Sequence, residues 1–546
     1  MYNALKNFIT SKATQKEQIP GTVANTAGGY SFEVSNWAQF ERFVLLGTSG
    51  GTYYIGERNL TKQNLDAVIR CIDEDGARAV NLIETISVEG RAPKNDPAIF
   101  ALALASSSDN DLTRQLAFHA LPKVCRTFTH LSHFLTFIKQ GKMRGFGRGM
   151  TRAIARWFND RSVDDLVYQA IKYPSRDGYS QQDAYRLAHP ARFVNFPAGS
   201  PRRLVYDFIS RGALPEDLQA LDGSEFNPVK RLAAANSLAH ANAKDIAAAI
   251  REWDLPMEAI PTQSRDAEVY EAVLYKAGLT WILRNLGNLT SQKVLDKKDN
   301  LDFVIKRLTS VEQLKTARVH PLAIFQAMQT YSKGHGEKGS NSWSPKGKLI
   351  DALDTAFYAS FKYVEPSGKR ILYAVDVSGS MVGANASGMT AVSVFEAAAV
   401  LTMAAIASED NFSLVAFDTK THELNDISKR QRLDDIVKRF RSYAGGGTDC
   451  ALPFQHALRN KLKVDAFVIF TDSETWAGNR HPIVALDEYR QQMRLPNTKA
   501  INVAMTANRF TILPGQDTDQ NTLECYGFDT SIPSVISLFL SGSEHG

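Results

Sequence analysis

Cysteine is scarce in this chain of 546 residues, apolar runs are short, and one long stretch has no acidic residue at all. The four cysteines, Cys71, Cys125, Cys450 and Cys525, stand far apart without C-x-x-C spacing. That pattern excludes a clustered zinc site and a secreted disulfide framework, and predicts reduced thiols. No segment approaches the roughly 18 consecutive apolar residues of a membrane-spanning helix. Met1 to Phe8 lack the apolar run and small-residue cleavage site of a secretory signal, so a soluble cytoplasmic protein is expected. A clean internal repeat of fixed period is missing as well.

At 546 residues the chain exceeds the ~250–300 at which one hydrophobic core stops growing, so two or more domains are expected. The net charge of +5 is unevenly spread. From residue 367 onward there are 17 Lys and Arg against 20 Asp and Glu, a net −3, which leaves 46 against 38, or +8, for the first 366 residues. A polyanionic partner would therefore meet the N-terminal part.

The first 20 residues are polar and end at Pro20-Gly21, which predicts a tail that is mobile or docked elsewhere. From about Asn36 to Phe361, apolar residues recur at helical spacing, as in Trp37-Phe40-Phe43-Val44 and Val163-Leu166-Val167-Ile171, between short Gly, Pro or Asp turns. More than 300 residues of helix after helix suit a HEAT-like α-solenoid, so residues 21–366 are expected to form an α-helical domain. Near Pro366 the period switches to short β runs alternating with helices. Residues 367–546 are therefore expected to form an α/β domain with a doubly wound, mostly parallel sheet, its strands at 371–375, 413–417, 466–470 and 500–504.

Directly after the first of those strands comes Asp376-Val377-Ser378-Gly379-Ser380, at the carboxyl end where open α/β sheets bind ligands. A carboxylate and two hydroxyls in a tight loop suit a hard divalent cation such as Mg²⁺. Thr448, after three glycines, and Asp472, after another apolar strand, could complete the set. The alternative is that the three short polar residues merely cap the next helix. Together the three loops look like the metal-ion-dependent adhesion site of von Willebrand factor A domains. A phosphatase would carry a second acid where Ser378 stands, so catalysis is not expected. In such A domains a carboxylate from a partner typically fills the sixth coordination position.

Between Lys123 and Arg156 there is no Asp or Glu, while Lys123, Arg126, Lys139, Lys142, Arg144, Arg148, Arg152 and Arg156 make a one-sign patch. Arg144, Arg148, Arg152 and Arg156 recur every four residues and would share one helix face, its first turn frayed by Gly145, Gly147 and Gly149. Guanidinium rows suit phosphates. Lys172, Tyr173, Arg176 and Tyr179 set cations beside aromatics, with Arg186 and His189 following, a common RNA-binding combination. The plainer alternative is a solvated face whose tyrosines belong to the core. Gly47-Thr48-Ser49-Gly50-Gly51 lacks the residues of a phosphate loop and is expected to end a helix. His320 and His335 have no nucleophile beside them and are expected to be structural.

Several segments resemble, in order, the Ro ribonucleoprotein family, whose helical module is called TROVE. They are 88–94, Leu283 to Gly287, His320 to Gly336, Ala356 to Tyr358, Val364 to Arg370, Asp376 to Met381, Gly446 to Cys450 and Phe470 to Thr475. The likeness covers nearly the whole chain and has the look of bacterial relatives from Phe193 to Pro261. It implies a ring of helical repeats closed by the A domain, with a basic hole for single-stranded ends of misfolded RNA. It also implies an outer surface for small Y-type RNA, with Lys172, Arg176 and His189 on that surface and Arg148 nearby. Lys142, Arg144 and Arg152 complete the expected RNA-binding set. An exoribonuclease of the polynucleotide phosphorylase type, tethered through RNA, is an implied partner in RNA quality control or decay. The rival readings are a metal-dependent protein-adhesion scaffold without a direct RNA role, and a metal-dependent hydrolase.

Overall fold

A computed structural model describes the chain except for residues 1–12, 49–56, 142–144, 177, 219, 318, 337–340, 361–365, 387–391, 408, 429–430, 530 and 542–546. Among the described residues the first elements are a hairpin of β1 (Thr22–Ala24) and β2 (Tyr30–Glu33), followed by helices from Asn36–Leu46 to Gly347–Ala359. Only the two-residue strands β3 (Ser175–Arg176) and β4 (Tyr179–Ser180) interrupt them among the described residues.

Local chemistry sets each turn of the array. Asp75 caps the helix Gly76–Glu89 by accepting from the Arg78 amide at 2.9 Å, and Gly90 ends it in the left-handed conformation with φ 67°. Thr127 caps Phe128–Gln140, Ser162 caps Val163–Lys172, and Ser180 with Asp183 forms a capping box for Gln181–Ala188. Helices pack on their neighbours and on the next helix but one, as Gly76–Glu89 does on Asp111–Val124, which is the stacking of a helical solenoid.

The C-terminal sheet has six strands in the order β11-β9-β8-β5-β6-β7, where β5 is Ile371–Asp376, β6 Phe412–Phe417, β7 Thr421–Glu423, β8 Ala466–Thr471, β9 Lys499–Ala504 and β11 Thr522–Tyr526. All pairs are parallel except β6 with β7 at one edge. Alternate residues feed opposite layers. Ile371, Tyr373 and Val375 join the core shared with the helical array, while Leu372 and Ala374 join the core on the far face.

One finding differs from the sequence expectation. The hairpin at residues 22–33, expected at the head of the helical domain, pairs instead with β10 (Phe510–Thr511) of the C-terminal domain, Thr511 opposite Phe32. The described end of the polar tail is docked there too, with Ala13 and Ile19 buried in the far-face core.

Both ends of the helical array dock on the A domain, which closes the ring. Near the start, fully buried Arg42 donates to the carbonyls of Asn508 at 2.9 Å and Phe510 at 2.8 Å and pairs with Glu524. Arg91, just past the Gly90 turn, forks onto both oxygens of Asp529 from its Nε at 3.1 Å. From the other end His320 Nε2 donates to the Phe528 carbonyl at 2.5 Å while its Nδ1 accepts from the Leu322 amide, the structural role expected of it. The Asp354 carboxylate accepts from the Leu433 amide at 3.0 Å.

Candidate metal centre and nucleic-acid interface

Asp376 ends β5 and Asp472 follows β8, side by side where the strand order reverses. The loops interlock through backbone: Gly379 donates to the Gly446 carbonyl at 3.1 Å and Gly445 to the Val377 carbonyl at 2.8 Å. Gly446, with φ 79°, sits where a Cβ would come 2.6 Å from the Asp418 carboxylate. Asp376 Oδ1 accepts from the Ser378 amide at 2.9 Å and its Oδ2 from the Thr471 hydroxyl at 2.6 Å. The Ser378 and Ser380 hydroxyls are 3.2 Å apart, and Ser380 hydrogen-bonds Asp472.

All five expected ligands, Asp376, Ser378, Ser380, Thr448 and Asp472, are buried. Burial, then the Asp472 charge, pushes the Asp376 carboxyl up to about 7, and burial raises Asp472 as well. No Lys or Arg pairs with either carboxylate among the described residues. Among the described residues the Thr448 hydroxyl is buried without a hydrogen-bond partner, and a buried hydroxyl left unpaired costs ~1–3 kcal/mol. Two uncompensated carboxylates and an orphaned hydroxyl fit a hard divalent cation held by oxygen. Among the described residues no group of three His, Cys, Asp or Glu could hold a metal, so the hydroxyls are essential to any such site.

The acid-free stretch from Lys123 to Arg156 does not form one patch, because its helices turn different faces to different neighbours. Lys123 pairs with Glu84. Arg126 donates to the Ser87 carbonyl and hydroxyl, both at 2.8 Å, and lines the cavity described below. Lys139 lies 5.9 Å from the Tyr179 ring. The helix Arg148–Asn159 begins after Gly147, with Gly149 pressed so close to Phe118 that a Cβ would sit 2.6 Å from that ring. Arg148 and Arg152 are exposed, and Arg152 lies 5.9 Å from the Phe193 ring. Arg156 donates to His119 Nδ1 at 3.2 Å. Lys142 and Arg144 lie outside the described residues.

Lys172 and Arg176 meet in a continuous cation–aromatic ladder. Lys139 covers Tyr179, which pairs across the β3–β4 hairpin with Arg176. Arg176 lies over Tyr173 at 5.9 Å, Lys172 over Tyr173 at 5.5 Å and over Tyr168 at 5.1 Å, and Lys172 Nζ donates to the Tyr168 hydroxyl at 2.8 Å. Ser132 fixes the hairpin by donating to the Arg176 carbonyl at 2.5 Å. His189, exposed at the left-handed end of Gln181–Ala188, lies about 12 Å along that helix from the hairpin.

A cavity of about 740 Å³ lies between the two ends of the array. Its cations are Lys94, Arg126 and Arg284, joined by His130, and no Asp or Glu is among its lining residues. Burial, then Arg126, holds His130 down to about 4, and its Nδ1 has no hydrogen-bond partner among the described residues. Trp343 stacks on Tyr331 at 6.0 Å and occupies the space a Gly287 side chain would need, 2.5 Å from a Cβ there. Sequence reasoning named Arg126 only as part of the acid-free stretch and did not nominate Lys94, Arg284 or Trp343, although segments 88–94, Leu283–Gly287 and His320–Tyr331 all contribute to the wall. The signal that could have found them was the convergence of three separate motifs.

Two domain families match this sequence: the TROVE domain over residues 23–215 and 256–369, and the Ro60 vWA domain over residues 370–540. The RNA-binding protein RO60 of Deinococcus radiodurans is 39% identical over 549 residues, covering 99% of this chain and 100% of that protein. The RNA-binding protein RO60 of Caenorhabditis elegans is 31% identical over 594 residues, covering 97% and 91%. The crystal structure of the Deinococcus radiodurans RO (RSR) protein aligns with a TM-score of 0.69 at 36% identity, over 93% of this chain and 100% of that one. With a helical array closed on an A domain and a likeness that runs nearly end to end, the chain belongs to the Ro60 family of TROVE and von Willebrand factor A domain proteins.

Proposed function

We propose that this protein is a non-catalytic RNA-binding scaffold of a ribonucleoprotein, acting in the cytoplasm in RNA quality control or decay. Its relatives are named RNA-binding proteins. The observation that carries the reading is the pairing of two cationic surfaces: the ladder through Lys172 and Arg176, and the acid-free cavity with Lys94, Arg126 and Arg284. The ladder takes a folded Y-type RNA by its phosphates, with Arg148, Arg152 and His189 on the same RNA. The cavity takes a single-stranded end, whose bases suit the half-buried Trp343 ring.

Asp376, Ser378, Ser380, Thr448 and Asp472 would hold a divalent cation, Mg²⁺ by donor chemistry, which would supply a positive attachment point for a partner's carboxylate. Ser378 stands where phosphoryl chemistry would need a second acid, which favours adhesion over hydrolysis. An exoribonuclease tethered through the RNA fits the same scheme as the decay partner.

The test is a fluorescence-anisotropy titration of the intact protein with a hairpin RNA bearing a single-stranded 3′ end. Lys172→Glu with Arg176→Glu should weaken the hairpin, and Arg126→Glu with Arg284→Glu the 3′ end. The reading fails if wild-type protein binds neither, or if the purified protein degrades the RNA and Asp376→Ala stops it.

A further inference from the structure

The TROVE match stops at residue 215 and resumes at 256, and the skipped segment is folded. It carries the helices Asn227–Ser237 and Ala243–Trp253, and the first packs against Val163–Lys172, the helix that bears Tyr168 and Lys172. From it Arg231 brings its guanidinium 5.9 Å from the Tyr168 ring, on which Lys172 also sits. The ladder therefore does not end at Lys172. It runs from Arg176 through Tyr173, Lys172 and Tyr168 to Arg231, each ring shared by two cations.

Arg231 is half-buried, and no carboxylate pairs with it among the described residues. Its Nε is buried without a hydrogen-bond partner among the described residues. At 5.9 Å from the Tyr168 ring the guanidinium is within cation–π reach, and the planar fork of its terminal N–H groups matches a phosphate. The acid that acts at this end of the ladder is Glu258, exposed and felt by Lys172 and Tyr173.

We propose that Arg231, from a helix outside the TROVE match, is a further RNA-binding residue that takes one phosphate of the RNA lying along the ladder. This rests on the proposed RNA-binding function and lengthens the footprint beyond what the matched segments supply. Specificity among folded RNAs then depends in part on whether the RNA continues past Lys172.

The experiment compares Arg231→Gln, Arg231→Lys and Lys172→Gln with wild type, measuring hairpin RNA affinity across a salt series and thermal unfolding of each. Arg231→Gln should bind roughly tenfold more weakly and lower the log–log salt slope by about one unit, the signature of one lost phosphate contact. Arg231→Lys should restore the slope. If Lys172→Gln loses affinity while Arg231→Gln keeps both affinity and slope, the assignment of Arg231 is overturned and the RNA-binding reading stands. If wild type binds no hairpin the Arg231 assignment falls, and if it binds no single-stranded 3′ end either, the RNA-binding reading falls with it. If Arg231→Gln loses affinity only in step with a lost unfolding temperature, and Arg231→Lys does not restore the slope, Arg231 is a packing residue and the assignment is overturned.

Discussion

Replacing Arg42 by Met should open the seam between the first helix and the A domain. Arg42 is wholly buried, and its guanidinium serves two carbonyls, of Asn508 and Phe510, and the Glu524 carboxylate. Met keeps most of the stem's volume but leaves all three acceptors without that donor. Glu524 retains the Asn502 amide at 2.9 Å and the Thr511 hydroxyl at 2.5 Å, so its charge is not wholly abandoned. Breaking a buried pair from one side costs about 3–5 kcal/mol, and the retained partners place the expected loss near the lower figure. Burial already raises Glu524 against the pull of Arg42, so loss of the arginine should let it take up a proton. Urea unfolding of Arg42→Met, Glu524→Gln and the double variant gives the coupling, expected at about 1–3 kcal/mol for residues in contact. A loss below ~1 kcal/mol for Arg42→Met, or additive single effects, would refute the idea that this contact clasps the ring.

Three further outcomes are expected. Burial holds His320 down to about 4. The unfolded chain therefore takes up that proton first as pH falls below ~6.5, and stability drops between there and 4. His320→Gln should remove about 2 kcal/mol of the stability change between pH 7 and 5, and an unchanged difference would count against a neutral buried imidazole. Mg²⁺ should raise the unfolding temperature, by about 2.7 kcal/mol of linkage at a hundredfold excess over Kd. Asp376→Asn and Thr448→Val should blunt that rise, and equal rises in the variants would mean the ion sits elsewhere. Gly287→Ala should cost about 1–3 kcal/mol by forcing Trp343 aside, seen in unfolding and tryptophan emission; a neutral substitution would contradict the close approach.

The sequence made some parts of this molecule far easier to read than others. Buried parallel strands are nearly continuous apolar runs, so β5, β6, β8 and β9 lie within one residue of where the pattern predicts them. The strands β1, β2, β7 and β10 are short, and β11 carries Glu524, whose charge breaks the apolar pattern while Arg42 offsets it in the fold. The pairing of residues 22–33 with a strand nearly 500 positions later leaves no local trace. The meeting of Asp376, Ser378, Ser380 and Asp472 was legible because the two acids stand at the ends of apolar strands. The four-residue recurrence of arginines correctly predicted a helix face at Arg148, Arg152 and Arg156. It could not reveal that Arg126 lines the same cavity as Arg284, since that depends on ring closure. Arg231 was invisible for the same reason: its partner Tyr168 belongs to a helix more than sixty residues earlier.

The most direct measurement is the salt dependence of hairpin RNA binding by wild type beside Lys172→Glu with Arg176→Glu. If Arg148, Arg152, Lys172 and Arg176 each neutralise a phosphate, affinity should fall roughly 50- to 150-fold between 50 and 200 mM salt, and the double variant should lose about half of that slope. Binding that is flat with salt, or a slope that the double variant leaves intact, would contradict the account.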